Sequence, residues 1–150
     1  MRRLIKKVLT EEVGIMLEMK INRKSLLHDL QVMDYDYDDA VEILNHHIEW
    51  IESLPNELKL YRIIYVDDES EINMKQPGKH YSIDYENLMM YHEFVTGYGE
   101  KKFLITVLAN KSMIDVQDTI SNNILYPNEM EITLKQNGRG AKIIKIEELT

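Results

Sequence analysis

Hydrophobic and polar positions change period along the chain, and that change divides it. Leu4, Ile5, Val8 and Leu9, then Val13, Met16 and Leu17, then Leu26, Leu27 and Leu30 recur at helical spacing, so residues 1 to about 33 read as helical. Thr10 with Glu11 and Glu12 suits the start of a second segment, and Asn22 separates a third. The acidic run Met33 to Asp39 lacks the glycine and terminal glutamate of a helix-loop-helix calcium site. Asp36 or Asp38 instead suits the N-cap of the next helix. That helix is expected from about Asp39 to Ser53, with Ala40, Ile43, Leu44, His47, Ile48 and Ile51 on one side. Leu54-Pro55-Asn56 ends it.

From there the period shortens to two. Leu58 to Val66 is rich in β-branched and aromatic residues and reads as a strand. Alternation places Arg62 on the face of Leu60, Ile64 and Val66, where a cation is costly unless an anion or carboxylate meets it. After an acidic, Pro/Gly-bearing loop, His80 to Ile83 reads as a short strand, and Asp84 is placed to cap a helix from Tyr85 to about Thr96. Leu88, Met89, Tyr91, His92 and Val95 supply its apolar side, and Gly97 and Gly99 stop it. Lys102 to Ala109 is almost continuously apolar, as a central strand would be. Residues 110 to 128 read as loop, with one helical turn at Asp115–Asp118. Alternation returns after Tyr126-Pro127-Asn128: Met130, Ile132 and Leu134 point one way, Glu129, Glu131, Thr133 and Lys135 the other. The turn signal Asn137-Gly138-Arg139-Gly140 precedes a last strand from Ala141 to Ile146. Such an order implies an α+β fold with a largely antiparallel sheet: a helical portion, residues 1–53, packs on a core, residues 54–150.

Composition narrows the chemistry. Net charge is −8, with 26 acidic against 18 basic side chains, which disfavours sequence-independent nucleic-acid binding. There is no cysteine, which removes disulfides, thiolate nucleophiles and Cys-based zinc sites and suits a cytosol. No apolar run reaches the length of a membrane span. Adjacent His46 and His47 diverge by about 100° on a helix and cannot easily share a metal, so they read as structural.

Exposed acids on amphipathic strands are ordinary, so Glu129 and Glu131 alone mark no site. In chain order, however, Arg62 sits in a Leu-Tyr-Arg strand, Ser82 ends His80-Tyr81-Ser82, and Glu131 closes a Glu-x-Glu pair five residues after Tyr126. Over about residues 54 to 147 this resembles the mono-ADP-ribosyltransferases of the Arg-Ser-Glu type, a group with many bacterial toxins and phage enzymes. His80-Tyr81-Ser82 stands where that family usually has Ser-Thr-Ser. The resemblance implies NAD as substrate, no metal, and a target protein carrying an acceptor arginine, modified in the cytoplasm (a host's, if the chain is phage-encoded).

By that resemblance Arg62 holds the dinucleotide pyrophosphate through planar paired donors, with His80, Tyr81 and Ser82 beside it. Ser82 would hold Glu131 by a hydrogen bond. Glu131 would stabilise the oxocarbenium-like transition state as the bond between nicotinamide and ribose breaks. Glu129 would orient and help deprotonate the incoming guanidinium. Tyr126 would contact the target, whose recognition is expected mainly in residues 110 to 128. A diphtheria-toxin-like branch would use His80 as a ribose-binding histidine, but it lacks the Arg62 and Glu-x-Glu pattern. Two other functions fit the same fold: an NAD glycohydrolase with water as acceptor, and a non-catalytic interaction module.

Overall fold

The structure, a computed structural model, describes residues 21–92 and 101–150. Asn22 and Asp36 start its first two helices, each side chain accepting from the backbone N–H three residues on, of Ser25 and Asp39. Those bonds satisfy donors that a helix start leaves open. α1 runs Arg23–Val32 and α2 Tyr37–Ser53. Leu26, Leu27 and Leu30 of α1 and Ala40, Leu44, Ile48 and Ile51 of α2 are buried, along the stripes their spacing predicts. The helical reading of residues 1–20, and of the segment from 93 through Gly97 and Gly99, falls outside the described residues.

Among the described residues five strands form one sheet: β1 Glu57–Val66, β2 His80–Ser82, β3 Lys101–Asn110, β4 Glu131–Thr133 and β5 Lys142–Leu149. Their order is β4-β2-β1-β3-β5, with every neighbouring pair antiparallel. With α3 (Tyr85–Tyr91) and α4 (Val116–Leu125), the described residues hold four α-helices, an α+β arrangement. β3 lies between β1 and β5 and is buried continuously from Phe103 to Val107, which accounts for its unbroken apolar run. Residues of α1, α2, α4 and the sheet, among them Leu26, Ile51, Leu60, Ile105, Ile120 and Ile132, share one hydrophobic core.

Three elements differ from the reading of the sequence. The stretch expected to be loop contains α4, ten residues long and capped by Asp115. Val116, Thr119, Ile120, Asn123 and Ile124 are its buried positions, a helical stripe hidden in the letters by Thr119, Ser121, Asn122 and Asn123, which individually favour caps and turns. The strand expected across Glu129 to Lys135 is only Glu131–Thr133, and at its start Met130 takes a left-handed backbone (φ 47°) that breaks the alternation. Finally, no side chain of α3 is buried. Leu88 and Tyr91 line a surface cavity rather than joining the core.

Candidate functional site

Strand register builds the site. Tyr61 of β1 stands opposite Ser82 of β2, and Ser82 opposite Glu131 of β4. Tyr61, Ser82 and Glu131 therefore form one row across three strands and project to one face. A cavity of about 550 Å³ opens there, within the range of small-molecule sites. β1 contributes Tyr61, Arg62 and Ile63; β2 contributes His80, Tyr81 and Ser82; α3 contributes Asn87, Leu88 and Tyr91. The far wall is Leu125 to Glu129, with Glu131. All seven residues singled out from the sequence (Arg62, His80, Tyr81, Ser82, Tyr126, Glu129 and Glu131) thus line a single cavity.

Glu131 is held differently from expectation. Its Oε2 accepts from the Thr133 hydroxyl at 3.3 Å and lies 3.4 Å from His80 Nδ1. The Thr133 hydroxyl accepts from Asn122 Nδ2 at 3.0 Å, which turns its proton to the side where Glu131 Oε2 and, at 3.4 Å, His80 Nδ1 lie. Ser82 does not brace the carboxylate. Its Oγ donates to the Asp84 carbonyl at 3.0 Å and accepts from the Asp84 N–H at 3.1 Å, closing the turn into α3. Ser82 shapes the wall, while Thr133 and His80 meet the acid. Thr133 is fully buried, and only its place two residues after Glu131 could have signalled its role.

Arg62, next to Tyr61 on β1, alternates away from the Tyr61–Ser82–Glu131 row but still lines the cavity. Its Nη1 donates to the His80 carbonyl at 2.9 Å, and its guanidinium carbon lies 6.0 Å from the centre of the Tyr81 ring. Nε is buried with no hydrogen-bond partner among the described residues. Burial lowers the Arg62 pKa, while the nearby Tyr81 and Glu131 act to raise it. Among the described residues Arg62 forms no salt bridge; of the two partners expected for it, an anion or a carboxylate, the carboxylate is absent, and a carbonyl takes one donor. Tyr81 is 2% exposed. Its hydroxyl donates to the Gly78 carbonyl at 2.9 Å, and burial pushes its pKa up to about 12. Tyr81 is thus the platform under Arg62 rather than a free donor to a ligand.

Gly78 closes this corner. Its φ of 134° suits glycine, and a Cβ there would lie 2.5 Å from Arg62 Nε. Gly78→Ala is therefore expected to push the guanidinium out of place and weaken binding of an anionic ligand, with loss of stability limited to about 1–3 kcal/mol. Calorimetric titration of NAD alongside a melting curve measures both.

Glu129 does not share a strand face with Glu131. The left-handed Met130 lies between them, and Glu129 sits in an exposed turn in which its N–H donates to the Tyr126 carbonyl at 3.1 Å. Tyr126 is 59% exposed at the rim. Asn87 Nδ2 donates to the Asn128 carbonyl at 2.6 Å, tying α3 to this turn across the cavity. Elsewhere, His46 and His47 border a smaller hollow of about 270 Å³ with Trp50, and burial followed by the charge of His46 lowers the His47 pKa.

Chemically, the cavity joins one cation with unfilled donor capacity, one oriented carboxylate and an aromatic, apolar side. This set fits a ligand carrying phosphate and a flat ring. The unpartnered Arg62 Nε is not open to this cavity but lies buried against Gly78, so any anion there would meet the outer Nη end of the guanidinium. Among the described residues no three His, Asp or Glu side chains are grouped to hold a metal, and no helix is long and apolar enough to cross a membrane. No family model, curated protein or solved structure matches the chain.

Proposed function

We propose that this chain transfers ADP-ribose from NAD to an arginine of a target protein, releasing nicotinamide. The observation that carries the reading is convergence: Arg62, Ser82 and Glu131, from distant parts of the chain, line one cavity, with Ser82 and Glu131 in register. Arg62 receives the pyrophosphate. Glu131, oriented by Thr133, accepts a hydrogen bond from a ribose hydroxyl and stabilises positive charge developing on the ring. The bond from ribose carbon to nicotinamide nitrogen breaks, and its electron pair leaves with nicotinamide. A guanidine nitrogen of the target bonds to that carbon, and the proton it loses passes to Glu129. Target docking then falls to the exposed rim around Tyr126, in the cytoplasm where NAD and substrate proteins meet.

The separation of Glu129 from Glu131 by a turn gives this reading a test. Glu131 serves bond cleavage, whereas Glu129 serves only the acceptor. Glu129→Gln is expected to lose transfer to a small guanidine such as agmatine, by about 10²-fold or more, while retaining NAD hydrolysis. Equal loss of both activities would assign Glu129 to the NAD site and remove the arginine-acceptor reading. Hydrolysis without transfer in the unaltered protein would make it a glycohydrolase.

A further inference from the structure

We infer that Asn123 is a positioning residue for Glu131, an inference that adds a helix-borne support to the site proposed above. β4 is an edge strand of three residues, paired on its inner side with β2. Among the described residues its outer side pairs with no strand, and its backbone groups there are met by side chains of α4 and, at the Thr133 carbonyl, also by the Asp115 N–H at 2.8 Å. Asn123 Oδ1 accepts from the Glu131 N–H at 2.9 Å, and Asn123 Nδ2 donates to the Glu131 carbonyl at 2.8 Å. Thr119 repeats the pattern one helical turn earlier, accepting from the Thr133 N–H at 3.0 Å and donating to its carbonyl at 3.3 Å. The spacing explains the match: four residues rise about 6 Å along a helix, and two residues rise about 6.6 Å along a strand. One face of α4 therefore acts as a substitute strand for β4.

The Asn123 bond pair matters most because of where it falls. Glu131 is the first residue of β4, directly after the left-handed Met130 and an exposed turn. On that side nothing else in the strand ladder fixes its backbone. Asn123 is 4% exposed, and its Nδ2 also donates to the Thr119 carbonyl at 2.8 Å, so the two carbonyls and the one N–H facing it fix which end of the amide is which. Asn123 holds the base of Glu131, and Thr133 and His80 hold its tip.

The test combines turnover with a readout of Glu131 itself. In Asn123→Ala, kcat for nicotinamide release is expected to fall about 10- to 100-fold, the scale of a small displacement of a reacting group. KM for NAD should change much less than kcat, because Arg62, the pyrophosphate contact, is untouched. Amide hydrogen exchange at Glu131 should accelerate while that of Ile105 in β3 does not. Ile120→Ala, which empties core space in the same helix, should lower the melting temperature at least as much and leave kcat alone. If Asn123→Ala does not fold, Asn123→Asp serves, since it keeps the acceptor for the Glu131 N–H and loses the donor. Unchanged kcat and unchanged Glu131 exchange in a folded Asn123 variant would overturn the inference, as would an equal fall in kcat in Ile120→Ala. If the unaltered protein releases no nicotinamide, the NAD reading falls, and Glu131 exchange alone decides: accelerated in the Asn123 variant, the support stands; unchanged, it does not.

Discussion

Glu131→Gln is expected to reduce nicotinamide release by at least about 10²–10³-fold, the scale of losing an oriented electrostatic group at developing charge. The substitution keeps size and leaves an amide oxygen that can still accept from the Thr133 hydroxyl, so the hydrogen-bonded frame around the side chain survives. What disappears is the negative charge. Glu131 is only 19% exposed and lies 3.4 Å from His80, so its charge acts in a partly desolvated place where it counts for more than in water. Folding should be little affected, since the residue borders a cavity rather than filling the core. Turnover should therefore vanish from a protein that melts close to the unaltered one. Equal activity in a folded Glu131→Gln protein would take the reacting group elsewhere.

Arg62→Lys is the second large effect. A lysine keeps the charge but has no fork, and it cannot bond the His80 carbonyl while presenting paired donors to a phosphate. NAD affinity is expected to fall by about 1–3 kcal/mol, roughly 5- to 150-fold. Part of the change will appear in the melting curve, because Arg62 also packs under Gly78 and beside Tyr81. The two roles separate when titration is done well below the melting temperature. Weaker binding by fully folded protein supports phosphate contact. Normal binding with a lower melting temperature would make Arg62 a structural brace between β1 and β2.

Most of the fold was legible because burial in this chain follows period. The break at Asn22, the caps Asp36 and Asp84, the helices that follow and the continuous run of β3 were all open to reading. α4 was not, because its buried face contains Thr119 and Asn123, polar residues that are inside only because β4 needs hydrogen-bond partners. That need is tertiary and leaves no local signature. The same cause hid the supports of the candidate site. Arg62, Ser82, Glu129 and Glu131 stood out as residue types in a recognisable order, but Ser82 turned out to be bound to Asp84, and the contact with Glu131 fell to Thr133 and His80. Met130, whose side chain fits the alternation, gave no hint of its left-handed backbone.

The most direct measurement is incubation of the protein with NAD carrying a radioactive phosphate in its adenylate half, alone and with a cell extract. The expected result is label attached to a protein, with nicotinamide released in step, and neither event with Glu131→Gln. Intact NAD after incubation of the folded, unaltered chain with extracts from several sources would contradict the account.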